Sequence, residues 1–447
     1  MAKTNITLYS STPSSNTDIN SINIDENCPA SGLNNAIREL MAHLKNVDTG
    51  SQALTSPSFT AMSTDTISEK TSANGVSIDS VTLKDGELGT SASPVPINSS
   101  SLNGGQFGGR RNIVIGGCMR VAQRGTSFTL GNASAKYPVD RFFVQDVNSS
   151  SGEATVSQST TAPTDFKNSL KIDVTTADTA LVADDQYKIE HRIEGQDIAH
   201  LNFGTSSAKI VTLSFYIRSN KTGNTQVGLM NSANNRAYVA TFTIDSANTW
   251  ERKEITIAGD QSGTWLDTNG IGLRLRWGSY GSTYQTSSVN QWVGSNVISR
   301  NDSPINFFDS TDNELYITGV QLEVGSVATP FEHRSFGEEL ASCQRYFQLG
   351  GVCTGRTYSD SQAELYYPFQ STMRSAPTIS LFGAGNDVSD TTGIAHISGV
   401  GNFNLSSLSG GSLTKTGCIL SIGTAGGMGG GNIVGIRGTP AQMDAEI

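Results

Sequence analysis

The chain has 447 residues, a formal net charge of −10 and 16% charged residues beside 47 glycines, which sets it apart from helical cytosolic enzymes. It has no basic block, and this excludes nucleic acid as a partner class. Hydrophobic residues are 36% of the chain, below the usual globular share, so its cores are thin, as in β-sandwiches, or completed by other chains.

Residues 1–27 are polar and extended, with Ile6, Leu8, Ile19, Ile22 and Ile24 available for short strands. Leu8-Tyr9 and Ile22–Ile24 are too apolar for a solvated tail, so this arm is expected to dock on another protein. After Cys28-Pro29 a helix is expected, with Ser31 as N-cap. Leu33, Ile37, Leu40, Leu44 and Val47 fall alternately four and three apart, the spacing of a heptad seam. About two heptads cannot stand alone. The same spacing also suits a helix packed on its own domain; the segment that follows favours a parallel oligomer. In Ser68–Leu88, Val76, Ile78, Val81 and Leu83 recur in a nearly two-residue rhythm between Asn74-Gly75 and Asp85-Gly86. A lone strand of this kind cannot bury its apolar side, and its simplest partners are copies of itself. The expectation is a homotrimer whose interface uses Leu33, Ile37, Leu40, Leu44, Val76, Ile78, Val81 and Leu83.

A loop at 91–109, rich in Pro and Gly, marks a boundary. Beyond it Ile113 and Ile115 are expected to form one strand and Met119 and Val121 another, with a sandwich proper starting at Asp140. Ile210–Arg218 alternates Val211, Leu213, Phe215 and Ile217 against Thr212, Ser214, Tyr216 and Arg218. Tyr238–Ile244, Arg252–Ile257, Gly272–Trp277 and Leu315–Glu323 repeat the pattern, with Leu273, Leu275 and Trp277 opposed to Arg274 and Arg276. Many short strands joined by Gly/Asn/Ser turns, with no helices between them, imply an antiparallel sandwich. Glu338–Phe347 reads as a connector helix, and Ala363–Phe369 alternates again. The fold class expected is mainly β: 1–50 attachment arm and helix, 51–109 linker and intertwined shaft, 110–335 jelly-roll-like sandwich, 336–447 connector helix and smaller C-terminal β tip.

INIDENCPASGLNNAIRELMAHLKN resembles the N-terminal module of tail fibre proteins of marine short-tailed bacteriophages. SEKTSANGVSIDSVTLKDGEL resembles a connecting segment of phage fibres. NIVIGGCMRVAQRGTSF, VDRFF and ITGVQLEVGSVATPFEHRSFGEELASCQRYF resemble a β-sandwich module of phage tail proteins, similar in look to carbohydrate-binding jelly rolls. The resemblance covers about half of the chain; the ITGVQLE to RYF run is its most specific part. It implies a trimeric fibre of the virion tail, made in the host cytoplasm. Such a fibre attaches to tail adaptor or nozzle proteins through residues 1–50 and binds host surface polysaccharide. A polysaccharide depolymerase tailspike and a non-binding fibre spacer are the alternatives. No family catalytic residues carry over.

The residues themselves support binding over catalysis. Asp184 and Asp185, Asp302 and Asp309, and Asp312 and Glu314 are the candidate carboxylate pairs for glycoside cleavage. All lie in Asn/Ser-rich stretches that read as loop acids or turn formers. No G-x-S-x-G elbow occurs. His43, His191, His200, His333 and His396 are dispersed and read as structural. Cys28, Cys118, Cys343, Cys353 and Cys418 form no C-x-x-C pair and read as buried free thiols of a reducing cytosol. The acids of 302–314 lack the alternation of a calcium loop, so neither metal nor cofactor is expected. No run nears the ~18 apolar residues of a membrane span, and the Met1 end lacks a secretory signal pattern. Sugars offer C–H faces to aromatic rings and hydroxyls to polar partners. Trp265, Trp292, Tyr280 and Tyr284, with Arg276 beside them, are therefore the candidate ligand-binding residues; Trp277 shares parity with Leu273 and Leu275 and is expected in the core. Tyr358, Tyr366 and Phe403 of the tip compete.

Overall fold

The computed structural model describes residues 3–25, 28–49, 51, 89–90, 93–94, 101–102, 105–106, 109–131, 133–147, 151–350, 353–381, 394–397, 401–411, 414–424, 426–427, 430–431, 433–436 and 441–447. Val76, Ile78, Val81 and Leu83 lie outside the described residues, so the expected shaft does too. Met1–Pro96 and Ile97–Ile447 form two compact units.

In the first unit the helix runs Ala30–Asp48. It starts one residue before Ser31, with Pro29 at the cap position and no side-chain cap, because the fixed φ of proline already suits a helix start. The arm does not stay extended. Asp18–Ile19 and Ile22–Asn23 pair as a hairpin through Asn20 and Ser21, both at positive φ, the geometry of a tight primed turn. Hairpin and helix pack together: Ile19, Ala36 and His43 are buried, and the Tyr9 hydroxyl lies 2.6 Å from His43 Nδ1. The apolar arm expected to dock elsewhere thus packs on its own helix. The flank of the helix beside this contact is open. Leu33, Ile37, Met41 and Leu44 are all about half exposed, while Leu40 and Val47 are half-buried.

In the second unit two antiparallel sheets face each other. One has six strands in the spatial order Glu251–Ile257, Val211–Ser219, Glu314–Val324, Ser169–Thr176, Glu153–Ser159, Ser127–Leu130. The other has seven: Trp292–Val293, Ala237–Ile244, Gly223–Met230, Ile271–Tyr280, Gln186–Glu194, Phe142–Val147, Ala135–Val139. The chain crosses repeatedly from one sheet to the other, as in a jelly roll. The sandwich begins at Ser127, before Asp140, and a short helical turn, Gly195–Ile198, interrupts the strands.

The alternation read from the sequence sets the core. Val211, Leu213, Phe215 and Ile217 of one sheet meet Leu273, Leu275 and Trp277 of the other, all buried. Phe215 meets the Trp277 ring edge-on at 5.5 Å, and Tyr187 stacks on Phe308 at 3.7 Å. Each such aromatic or aliphatic side chain contributes about 1.5–3 kcal/mol by leaving water. Gly278 has φ +148°, and a Cβ there would stand 1.9 Å from the Tyr187 carbonyl oxygen; only glycine lets these strands approach.

The stretch 111–124 differs from the expectation. It forms no strand. Val114, Met119 and Val121 are buried while Ile113 and Ile115 are half-buried. The segment threads inward, held by Ile113 N–H donating to the Leu322 carbonyl at 2.9 Å and Val320 N–H to that of Gly117 at 3.0 Å. A side chain at Gly117 would meet the Val320 carbonyl oxygen at 2.2 Å, so the close contact depends on glycine.

The connector helix Phe336–Gln344 opens with a capping box between Ser335 and Glu338. After it six strands close a barrel in the order Cys353–Thr357, Gln362–Pro368, Gly417–Thr424, Gly401–Gly411, Ile394–Ile397, Ile433–Ile436. Ala363, Leu365 and Tyr367 are buried on one side of the second strand. The chain end returns to the sandwich. Glu446 pairs with the buried Arg141, and Arg124 reaches Asp444 at 3.3 Å and Glu446 at 3.4 Å. Barrel and sandwich belong to one compact unit.

Candidate functional site

The tryptophans expected at a ligand surface come together at one end of the sandwich. The Trp265 and Trp292 rings meet edge-on with centroids 5.4 Å apart. Phe203 lies 5.0 Å from Trp265 and 5.8 Å from Trp292, and Tyr238 lies 5.3 Å from Trp292. Their polar atoms are fixed: Trp292 Nε1 donates to the Ala258 carbonyl at 2.7 Å, and Trp265 Nε1 to Asp260 Oδ2 at 3.2 Å. Asp260 also accepts from Arg236 Nε at 2.9 Å. Both tryptophans are partly exposed. Asn231 braces the loop beside them, donating to Asn235 Oδ1 at 2.7 Å and to the Thr264 carbonyl at 3.1 Å. Rigid rings among amides and hydroxyls suit a sugar, whose ring face is apolar and whose rim is polar.

Tyr280 and Arg276 are placed differently from the expectation. Both alternate onto the outer side of the seven-stranded sheet, away from the core. That side is not open: the chain after Gly281 folds across it. Met230, Ala237, Tyr280 and Ile298 form a buried cluster with Tyr284, Val293 and Val297 packed against it. Tyr280 is 1% exposed, and Arg276 is 5% exposed. Neither can meet a polymer arriving from solution while this cover is closed. Tyr284 is half-buried at its edge. Period-two reading finds the face but not its lid.

The covered face holds charge. Glu190 is fully buried and pairs with Arg276 Nε at 2.8 Å, Arg192 Nε at 2.7 Å and Lys188 Nζ at 3.3 Å. Burial pushes the Glu190 carboxyl up, but Arg276, Lys188 and Arg192 outweigh this and bring it down to about 2. Desolvation, then repulsion from Arg276, lowers the Lys188 ammonium to about 8. Desolvation and Arg276 hold the neighbouring Arg274 guanidinium down to about 10. Removing these charges from water is costly, and good geometry offsets that cost.

Four of the six candidate carboxylates have local partners. Asp302 pairs with Arg300, Asp309 with Lys221, and Glu314 with Lys171 at 2.7 Å. Asp185 Oδ2 accepts from the Val182 N–H at 2.7 Å. His191 is buried against the Phe142 ring at 4.5 Å, its pKa lowered by desolvation. His333 packs with Phe331 and Phe166. Burial raises the Cys118 thiol to about 11 and pushes Cys343 well up, so both are protonated and inert. In the barrel Tyr358 and Tyr366 are more than half exposed; the side chain of Phe403 lies outside the described residues. Phe203, Asn231 and Asp260 belong to the tryptophan end yet gave no sequence signal beyond their polar or aromatic type. They are brought there by separate loops.

No family model matches the chain, and no curated protein matches it. Among solved structures it is similar to the enzymatically active domain of tailspike protein 4 from bacteriophage CBA120, at 11% identity over 48% of this chain and 21% of that one, TM-score 0.24. It is also similar to a family 11 carbohydrate-binding module from Clostridium thermocellum, solved with a mixed-linked tetrasaccharide: 12% identity over 46% of this chain and 98% of that one, TM-score 0.23. A putative sugar binding protein from Bacteroides thetaiotaomicron matches at 14% identity over 48% of this chain and 100% of that one, TM-score 0.27. The chain thus spans about a fifth of the tailspike domain and all or nearly all of the two small modules. At these TM-scores the overlaps carry no functional weight.

Proposed function

We propose that the chain is a homotrimeric fibre of a phage virion that adheres to glycan on the host cell surface. The observation that carries this reading is the open face of the first helix. Leu33 is 51% exposed, Ile37 49%, Met41 64% and Leu44 55%, in one row on a helix of 19 residues. The row runs along the flank beside Ala36 and His43, which pack against the arm. Three parallel copies would bury it knob into hole. The arm and helix, folded on each other, would offer tail proteins a preformed surface. Adhesion is assigned to the tryptophan end of the sandwich, where Trp265 and Trp292 stand among fixed amides. Three weak sites on one body raise the effective concentration of the second and third contacts.

The test is the mass of the intact chain by light scattering, paired with binding to a glycan array. The expected mass is that of three chains. Replacing Ile37, Leu44, Val76 and Ile78 by Ser should reduce it to one chain with the sandwich still folded. A single-chain mass for the unaltered protein would end the fibre reading. A trimer that binds no host cells and does not block adsorption would leave only a spacer.

A further inference from the structure

A pocket of about 620 Å3 opens in the second unit among the segment after residue 109, the helical turns at 195–201 and the connector helix Phe336–Gln344. In a chain of net charge −10 its walls are cationic. Arg110, Arg111, Lys209, Arg334 and Arg345 line it, and Asp197 is the one carboxylate among the described lining residues.

The nearby acids are already committed. Glu194 accepts from Arg345 Nε at 2.9 Å and Nη2 at 2.7 Å, and also from the Tyr346 hydroxyl. Glu332 accepts the backbone N–H groups of Arg111 and Asn112 at 2.9 and 2.6 Å. Glu339 takes the Gly116 N–H. Glu338 meets Arg110 only across a solvent-exposed contact of 3.7 Å. These bonds lock Arg345 in place, and Arg334 donates to the Asn112 carbonyl with Glu332 and Glu339 each 3.9 Å away. Arg111 and Lys209 have no ion-pair partner among the described residues. The pocket therefore combines fixed, ion-paired arginines with the unpaired positive charge of Arg111 and Lys209.

Its remaining walls are not those of a simple ion site. Ile113, Ile115 and Val324 supply apolar surface, and Ser342 and His200 supply hydrogen-bonding groups. Desolvation and Lys209 lower the His200 pKa, which leaves a neutral imidazole able to meet a hydroxyl. A cavity of this size holds roughly one or two sugar rings. We propose that this pocket binds an acidic sugar, a pyranose bearing a carboxylate or a sulfate, within the host polysaccharide; this rests on the adhesion reading above and names its ligand class. Guanidinium groups match planar carboxylate and sulfate oxygens with paired donors, and the apolar wall meets the ring.

Titration calorimetry on the full chain tests it with three oligosaccharides of equal length: neutral, uronic and sulfated. Either acidic oligosaccharide should bind at least about tenfold tighter than the neutral one. The preference should shrink at high salt, and the uronic and sulfated arms identify the anion. Arg111→Ser with Lys209→Ser should weaken acidic binding about tenfold and leave neutral binding unchanged. Arg111→Lys with Lys209→Arg should restore most of it. Equal binding of neutral and acidic oligosaccharides, or a double variant that binds both as before, overturns the pocket assignment and leaves adhesion standing. If none of the three binds while host cells still take up the protein, the pocket assignment also falls. Loss of the trimer mass in the double variant overturns it as well, by placing an acidic segment of a second copy there. No binding to oligosaccharide, array or cell removes the adhesion reading itself.

Discussion

The helix Ala30–Asp48 and the seven-stranded sheet handle their second faces in opposite ways. On the helix, leucine and isoleucine are left in water. On the outer side of the sheet, a glutamate, a lysine and an arginine are taken out of it, under cover supplied by the chain after Gly281. The sheet's cover is internal, so its charges can be matched one by one: Glu190 sits among Arg276, Arg192 and Lys188. Among the described residues nothing covers the open side of the helix. A face completed within the chain tolerates polar chemistry, because fixed partners are always present. A face completed by association, as proposed for the helix row, can be apolar, because the hydrophobic effect needs no preset partner.

The sharpest way to break this contrast is to remove the centre of the charged face. Glu190→Gln leaves Arg276, Arg192 and Lys188 buried without their carboxylate. The expected loss is about 3–5 kcal/mol, read as a lower denaturant midpoint with an unchanged slope. A loss under about 1 kcal/mol would mean that water reaches these cations and that the face is not closed. Serine on the helix row has the reverse signature: the mass falls, but the sandwich keeps its midpoint.

Protons probe the same face with smaller effects. Glu190 titrates near 2 in the folded chain against an ordinary value of 4.5. Its depressed pKa stabilises the fold above the ordinary value, and that contribution disappears as pH falls from about 4.5 toward about 2. Lys188 works in the other direction. At about 8 against an ordinary 10.5, the folded chain binds fewer protons than the unfolded chain across that window. Stability therefore rises as pH goes from about 8 to about 10.5. Arg274, also lowered by desolvation, to about 10, extends the rise above that pH. Denaturant midpoints across both windows check the two slopes. Glu190→Gln should abolish the acid slope at this site and deepen the alkaline one, because Lys188 loses the neighbour that favours its charge. A Lys188→Met variant with the same alkaline slope as the unaltered chain would place Lys188 in solvent.

Much of the fold was legible where one periodicity held over a whole strand. Val211 to Ile217 and Leu273 to Trp277 alternate cleanly, and both sets line the core. The helix itself was legible from its three-and-four spacing, but its exposed row takes in Met41 and leaves Leu40 and Val47 half-buried. Two things were not. Ile113 and Ile115 look like a strand, but the glycines at 116 and 117 and the contact with Val320 impose an irregular inward path. Alternation also placed Arg274 and Arg276 opposite the core without revealing that their side is buried, since the cover comes from a loop with no period. The tryptophan end was half legible. Trp265 and Trp292 stand out as residue types, while Phe203, Asn231 and Asp260 arrive from loops up to 57 positions apart. The return of Glu446 to Arg141 spans 305 positions and leaves no trace in local spacing.

The mildest probe of the comparison is Tyr280, which belongs to the covered face by position and to the ligand set by residue type. Its ring is buried beside Met230 and Ile298, and burial raises its pKa. Its hydroxyl oxygen has no hydrogen-bond partner among the described residues. A ring held by packing, with its hydroxyl unused, should tolerate Tyr280→Phe at a cost below about 1 kcal/mol, because the apolar volume is kept and no bond is broken. Glycan binding should not change. Trp265→Ala, at the tryptophan end, should weaken neutral glycan binding by about 0.5–1.5 kcal/mol, the scale of one aromatic ring contact. If Tyr280→Phe reduces glycan binding as much as Trp265→Ala does, the loop after Gly281 opens when ligand arrives. The covered sheet face would then be a binding cleft with a lid, not a closed counterpart to the helix.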